Sequence, residues 1–344
     1  MNEYYEARQH LNLSHLAYET IESDKFMFQE KPSMSKILNR IFTMYRDYAD
    51  ASIANACARY KEDLESRVKS ISDGAVKTEL ISALTQSYKT ELIEKANSYP
   101  RGHQFKFQLN RQNYEYIMDW HDTEEAYDKS AGRFIKAILE EYARKPLVER
   151  EAILFRDMIE MINACVESHL ALAITLYSGA RFEVRPYGVL IDQGNNYHYL
   201  VGYSRKAGEK GEDKPSSFRL SNIREYKLFY GRSGRITEAQ KKSLKQRIDA
   251  VGVQFLLQEP DAIRVRLTKR GKSMYESQAH LRPAFTSQEV LPNGDWIYDF
   301  NCSQAQAQFY FFKFGADAEV VKPFDLRELF ANKYVSAQQL YSKY

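Results

Sequence analysis

Hydrophobic and polar positions follow a repeated pattern in the first 145 residues. Two short segments alternate apolar and polar residues, Gln9–Leu13 and Phe105–Leu109, and apolar residues at three- and four-residue spacing follow each one. The sequences Tyr-Glu-Thr-Ile from Tyr18 and Tyr-Glu-Tyr-Ile from Tyr114 occupy matching places in the two copies. A period of two predicts a strand and the longer spacing predicts helices. We therefore expect two strand–helix–helix copies, with Ser14 and Asn110 capping their first helices.

This order of elements resembles the ribbon-helix-helix fold, in which two copies pair their strands into an antiparallel ribbon that enters the major groove of DNA. The resemblance implies pairing of the strands within one chain, as a pseudo-dimer, or between two chains. Alternation directs the polar strand side chains outward, and the predicted ribbon contacts are Arg8, His10, Asn12, Lys106 and Gln108. The alternative is that they form only the solvated face of a small sheet.

Helices are also predicted between and after the two copies. Residues 51–98 are rich in Ala, Lys, Glu and Leu, with a break expected at Ser72–Gly74 and charged faces that indicate solvation. A further helix is predicted from Val148 to Val166. We expect a helical region at 1–145 and a linker helix within 146–170.

Short strands separated by Gly, Asn and Pro turns begin after Gly179, which is typical of a small barrel. The segments that start at Arg181, Asn195 and Phe218 resemble the WYL domain, an Sm-like β-barrel. His198-Tyr199-Leu200 stands where that family has Trp-Tyr-Leu, so His198 replaces the Trp. Ser221 and Asn222 stand where the family has Asp and Arg. The predicted WYL domain covers 171–235.

The WYL resemblance implies a basic groove that binds nucleic acid or a nucleotide. The matching residues Tyr199, Arg205 and Arg219 are the first candidates. Guanidinium groups bind phosphate and tyrosine rings stack on bases, so the residue types alone point to the same chemistry. The remaining candidates are Tyr203, His198, Arg185 and Asn222. The alternative is that alternating aromatic residues of a small barrel form its core.

The last part of the chain, 236–344, resembles the WYL C-terminal extension through its Phe-Gly-x-x-x-x-Val-x-x-Pro-x-x-Leu-Arg run from Phe314. The predicted order is a strand at 262–268, a helix at 271–280, strands at 285–290 and 296–301, and a helix at 303–312. This order predicts a ferredoxin-like α/β domain. The expected fold class is α+β throughout.

Composition narrows the possible functions. The net charge of +3 is small, so affinity for nucleic acid must come from local patches, whereas 25 Tyr and 19 Phe provide stacking surfaces. The three cysteines have no Cys-x-x-Cys spacing, and no His pair has the spacing of a metal site. We expect no catalytic residues, metal or cofactor, no membrane segment, and a cytoplasmic location.

The layout of doubled strand–helix–helix copies before a WYL domain resembles the WYL accessory proteins of type VI-D CRISPR systems. That resemblance implies a homodimer that binds single-stranded RNA, or DNA, and modulates an RNA-guided CRISPR effector nuclease. The alternative hypotheses are a WYL-type transcriptional regulator that binds duplex DNA and senses a nucleotide, and a module that binds another protein.

Overall fold

The computed structural model describes residues 8–69, 73–98, 100, 102–121, 131–192, 197–256, 260–279 and 281–342. The chain divides into two compact units, Met1–Arg156 and Asp157–Tyr344. Helices and antiparallel sheets occur in both parts of the α+β fold. No helix in the described ranges combines the length and the apolar content that crossing a bilayer requires.

The first unit contains the two predicted strand–helix–helix copies. Its elements are β1 (Arg8–Leu13), α1 (His15–Asp24), α2 (Met34–Arg67), α3 (Gly74–Asn97), β2 (His103–Gln108), α4 (Arg111–His121), α5 (Ala131–Ala143) and α6 (Leu147–Leu154). β1 and β2 pair antiparallel, with His10 opposite Lys106. The ribbon therefore forms within one chain, which decides between the two pairings that the sequence left open.

Alternation along the ribbon separates its two faces as the sequence predicts. Leu11, Leu13, Phe107 and Leu109 are buried, because each faces the helices of the unit. The two predicted helix caps are also confirmed. The hydroxyl of Ser14 accepts from the Ala17 N–H at 3.2 Å, and the side chain of Asn110 accepts from the Asn113 N–H at 2.9 Å.

Each copy holds the strand–helix junction of the other. Glu140 on α5, fully buried, accepts from the backbone N–H of Ser14 at 2.7 Å and from its hydroxyl at 2.8 Å. On α2, Asn39 accepts from the backbone N–H of Asn110 at 2.8 Å and donates to the carbonyl of Gln108 at 2.9 Å. These reciprocal bonds satisfy buried polar groups that would otherwise destabilise the unit.

One helix boundary agrees with the sequence prediction and one differs. The second helix of the first copy runs to Arg67, and the break predicted at Ser72–Gly74 is confirmed in its described residues, because Asp73 caps the next helix by accepting from the N–H of Ala75 at 2.9 Å. The predicted 148–166 helix is two helices, α6 and α7 (Arg156–Glu167), separated at Phe155. The Phe155 ring is buried and lies 5.2 Å from Phe28, so tertiary packing fixes this interruption.

A five-stranded antiparallel sheet begins the second unit. Its strands are β3 (Leu170–Leu176), β4 (Arg181–Ile191), β5 (His198–Lys206), β6 (Lys214–Arg219) and β7 (Ile223–Ser233), followed by α8 (Glu238–Val251). The strand order is β6-β5-β4-β3-β7, and the described residues of β6 and β7 do not pair with each other. A closed barrel is therefore not formed.

The two edge strands are nevertheless close in the chain. A single 3₁₀ turn, Leu220–Asn222, joins the end of β6 to the start of β7. A flat five-stranded sheet places its edges about 19 Å apart, at about 4.8 Å per strand. The four residue steps from Arg219, the last residue of β6, to Ile223, the first residue of β7, span about 14 Å at most. The sheet must therefore curl strongly, so that its edges approach each other.

The four-stranded sheet of the second unit follows the predicted order closely. Its elements are β8 (Asp261–Leu267), α9 (Lys269–Ser277), β9 (Phe285–Val290), β10 (Trp296–Cys302), α10 (Gln304–Phe311), β11 (Ala318–Lys322) and α11 (Phe324–Tyr341). The strand order is β11-β8-β10-β9. An aromatic core that includes Tyr275, Tyr298, Tyr310 and Phe311 fills one face of this sheet.

Candidate nucleic-acid interface

The two faces of β5 separate the candidate residues. His198, Leu200 and Ser204 point to one side and are buried, whereas Tyr199, Tyr203 and Arg205 point to the other. On this second side the register places Arg185 beside Tyr203 and Glu183 beside Arg205. The predicted ligand groups therefore share a face, with His198 excluded from it.

Tyr203 is a core residue. Only 6% of its surface is exposed, and its hydroxyl donates to the carbonyl of Gln240 at 3.0 Å. It packs with Val201 and Leu244 in a core against which the partly buried Tyr199 also packs. Because both its ring and its hydroxyl are engaged, Tyr203 offers little surface for stacking on a base, contrary to the expectation from its residue type.

Two candidate arginines belong to an ion-pair network at one end of this face. Arg185 donates to Asp213 at 2.6 Å and to the carbonyl of Arg235 at 2.9 Å. Arg205 donates to Glu183 at 2.8 Å. A third arginine that sequence reasoning missed, Arg232, also pairs with Asp213.

Carboxylates offset two of the three positive charges in this network. The two carboxylates are 8% and 14% exposed and offset most of the charge of the three guanidinium groups. Ion pairs with this degree of burial hold their partners in place, and removing one partner leaves an uncompensated charge. Arg185 and Arg205 therefore connect strands and leave little charge available for a phosphate.

Arg219, at the end of β6, has a different environment. Its guanidinium carbon lies 3.3 Å from the centre of the Tyr197 ring. In the register of the sheet it stands beside Tyr199, at the separation where side chains of antiparallel strands touch. Its Nε is buried without a hydrogen-bond partner, and among the described residues no carboxylate pairs with the guanidinium.

The predicted residues thus form two groups instead of one pocket. Tyr199 and Arg205 are six residues apart on one strand, which corresponds to about 20 Å. Tyr199 and Arg219 lie at one end with Tyr197, and Arg185 and Arg205 lie at the other. The expectation that one pocket contains all of these residues is therefore wrong. The distances between their side chains depend on how neighbouring strands are aligned, and the alternation along a single strand does not predict that alignment.

His198 and Asn222 take separate positions. His198 is 7% exposed, on the opposite face of β5 from Tyr199. Asn222 is exposed at the end of the turn between β6 and β7, where its carbonyl accepts from the N–H of Tyr177 at 3.1 Å. Tyr197 was missed because it follows Asn195 and Asn196, residue types that predict a turn, although its two-residue spacing from Tyr199 predicts both rings on one face.

The ribbon candidates line the exposed side of β1 and β2. His10, Lys106 and Gln108 are exposed, and Gln104, which sequence reasoning missed, is exposed beside them. Asn12 is partly buried and accepts from the N–H of Gly102 at 3.0 Å. The side chain of Arg8 lies outside the described residues.

A crystal structure of a CRISPR Cas-related protein superposes with a TM-score of 0.71 at 24% identity, over 98% of this chain and 94% of that one. This chain shares that fold. Proteasome accessory factor B/C (PafBC) of Arthrobacter aurescens aligns with 67% of this chain and 38% of its own at 11% identity, and its TM-score of 0.30 carries no argument. No family model and no curated protein matches.

Proposed function

We propose that this chain is a non-catalytic accessory protein of a CRISPR system that binds single-stranded RNA through Tyr197, Tyr199 and Arg219. In this proposal it modulates an RNA-guided RNA-targeting effector nuclease of type VI-D. The fold shared with a CRISPR Cas-related protein over nearly the whole chain supports the CRISPR context. The chemistry of Arg219 supports the ligand.

The two sheets support the domain assignments in the proposal. The curled sheet in the order β6-β5-β4-β3-β7 fits an Sm-like WYL domain whose edges approach without pairing. The β-α-β-β-α-β order of the last domain, with strands β11-β8-β10-β9, fits a ferredoxin-like extension. Several exposed apolar side chains on α11, including Phe324, Leu340 and Tyr341, support a homodimer.

The observation that carries the proposed ligand is the partly buried guanidinium of Arg219, which pairs with no carboxylate in the described part of the chain. Burying a charge without a partner is costly, and a phosphate that forms two hydrogen bonds with guanidinium would offset that cost. Contact with the Tyr197 ring holds the guanidinium in place before the ligand binds. Because stacking on tyrosine needs an unpaired base, a single strand fits better than a duplex.

The proposal is tested by replacing Arg219 and measuring the anisotropy of a labelled single-stranded RNA. Arg219→Ala is expected to weaken binding about tenfold or more, as loss of a hydrogen bond to a charged group does. The slope of log K against log salt should fall by about 0.7, the contribution of one phosphate contact on a single strand. Arg224→Ala is the matched control, because it removes an exposed arginine that pairs with Glu225 in the same sheet.

Three outcomes of this binding assay test the contact at Arg219 and the preference for single-stranded RNA. Equal binding by Arg219→Ala and Arg224→Ala would remove the proposed contact. Equal affinity for duplex and single strand would contradict the stacking argument. A preference for RNA over DNA of the same sequence would support recognition of the 2′-hydroxyl, and the reverse would replace RNA with DNA in the proposal.

A second function is favoured by the ribbon. The paired strands present His10, Gln104, Lys106 and Gln108 on one exposed face within a single chain. Amide and basic side chains on such a ribbon can bond base edges in the major groove. A transcriptional regulator of this kind would enrich a defined sequence from a genomic duplex library, and failure to enrich one would eliminate it.

A further inference from the structure

A second cluster of cations and tyrosine rings lies in the first unit and contains none of the candidate binding residues that the sequence predicted. One face of α2 and the facing side of the segment from Lys145 to Arg156 enclose a cleft of about 440 Å³. We call it the helical cleft. Its polar lining includes Tyr45, Tyr48, Arg59, Lys145, Glu149 and Arg156.

The two arginines of the helical cleft have no anionic partner. Arg156 donates to the backbone carbonyl of Met44. Arg59 makes one long contact of 3.4 Å with the carbonyl of Asn55 in its own helix. Neither guanidinium pairs with a carboxylate among the described residues. This distinguishes them from Arg185 and Arg205, whose charges Asp213 and Glu183 offset.

Lys145 adds little free charge to the cleft. It lies 3.5 Å from Glu149 and 4.0 Å from Glu141. Glu149, the one carboxylate among the described lining residues, is therefore directed to Lys145 and not to either arginine. Within the described part of the cleft, the positive charges of Arg59 and Arg156 have no carboxylate to offset them.

Tyr48 supplies an aromatic ring to the same cleft. The guanidinium carbon of Arg156 lies 3.4 Å from the centre of the ring, while 49% of the residue remains exposed. A guanidinium in contact with a tyrosine ring fixes the orientation of both side chains. An exposed ring next to unpaired guanidinium groups is the combination that binds one base and its phosphate in single-strand-binding proteins.

We propose that the helical cleft binds one nucleotide unit of a single-stranded nucleic acid, with its base on Tyr48 and its phosphate on Arg59 and Arg156. The volume lies in the range of small-molecule sites. An acidic peptide would satisfy the arginines but leave the exposed ring without a stacking partner, so the nucleotide fits better. This site is separate from Arg219 and makes a second contact on the other unit.

The test uses the full chain and a short single-stranded RNA that carries a fluorophore. Arg59→Ala and Tyr48→Ala are expected to weaken binding about fivefold or more, the lower end of the effect of losing one stacked base. Tyr48→Phe should bind like the unchanged protein because the ring remains. Arg67→Ala is the matched control, since it removes an exposed arginine of the same helix that pairs with Asp63 outside the cleft.

Far-UV circular dichroism of each variant verifies that the helices are intact. Photocrosslinking of a 4-thiouridine RNA then locates the contact, and a crosslink to α2 is expected. If Arg59→Ala and Tyr48→Ala both bind like Arg67→Ala, the inference is overturned. It is also overturned if polyglutamate displaces the RNA at equal charge concentration and protects the cleft, since an acidic protein would then be the ligand.

The proposals for the Arg219 site and for the helical cleft can be rejected independently, because separate substitutions test them. Loss of affinity in Arg219→Ala with no change in Arg59→Ala would support the proposed function and reject the helical cleft. The opposite result would reject the contact at Arg219 and retain the cleft. Absence of any binding to single-stranded RNA or DNA would reject both.

Discussion

Glu140 connects the two copies of the first unit, and its removal offers a quantitative test of the fold. The carboxylate is fully buried on α5. It accepts three hydrogen bonds, from the Ser14 N–H at 2.7 Å, the Ser14 hydroxyl at 2.8 Å and Arg144 at 2.7 Å. We expect Glu140→Ala to destabilise this unit strongly, because all three donors lose their acceptor.

The magnitude follows from burial and charge. Removing one partner of a buried charged pair costs about 3–5 kcal/mol. Glu140→Gln keeps the shape and one acceptor, but its amide NH₂ group faces donors, so we expect about 1.5–3 kcal/mol, as for a hydrogen bond to a charged group. The control is Glu115→Ala, which breaks an exposed pair with Arg111 and should cost about 0.3–0.5 kcal/mol.

Urea unfolding followed by circular dichroism measures the free energy of unfolding. Hydrogen exchange at the amides of β1 and α1 reports the first unit separately from the second. The order of stability should be Glu115→Ala, then Glu140→Gln, then Glu140→Ala as the least stable. A Glu140→Ala protein within about 1 kcal/mol of the unchanged chain would refute the role of this carboxylate, because a buried acceptor of three bonds cannot be lost at that cost.

Two further predictions concern the second unit. Tyr203→Phe should lower the free energy of unfolding by about 0.5–1.5 kcal/mol through loss of the hydrogen bond to Gln240 and leave RNA affinity unchanged. A loss of RNA affinity with unchanged stability would show instead that Tyr203 contacts the RNA. Burial raises the pKa of the Cys302 thiol to about 12. The contribution of this thiol to the free energy of unfolding is therefore fully present below the ordinary thiol pKa near 9, and it is lost as the pH rises from about 9 to 12, where only the unfolded thiol is ionised. Melting temperature should fall across this window and fall less in Cys302→Ala, and equal curves for the two proteins would exclude a contribution from Cys302.

Local pattern predicted the strands of the four-stranded sheet closely. The strand at 285–290 agrees to the residue with β9, and the predicted strands at 262–268 and 296–301 differ from β8 and β10 by one residue. Turn residues and alternation fix such strands locally. The helix predicted from Val148 to Val166 was wrong at Phe155, since the contact of Phe155 with Phe28 is a long-range event that no local period contains.

The candidate site was predicted in part. Tyr199 and Arg219 were expected near each other, and the sheet register confirms their proximity. Arg185 and Arg205 were expected to face a ligand, yet Asp213 and Glu183 offset their charge. Sequence shows which residues can carry charge, but the presence of a counter-ion depends on strand register and on a loop residue such as Asp213.

The sequence by itself determined the doubled strand–helix–helix pattern, the caps at Ser14 and Asn110, and the inward and outward alternation of the strands. These features arise from interactions within a few residues, so periodicity and residue type suffice to predict them. Only the tertiary structure decided that β1 pairs with β2 in one chain and that Arg59, Arg156 and Arg219 have no carboxylate partner among the described residues. Both depend on contacts between distant segments, whose register and ion partners no local pattern specifies.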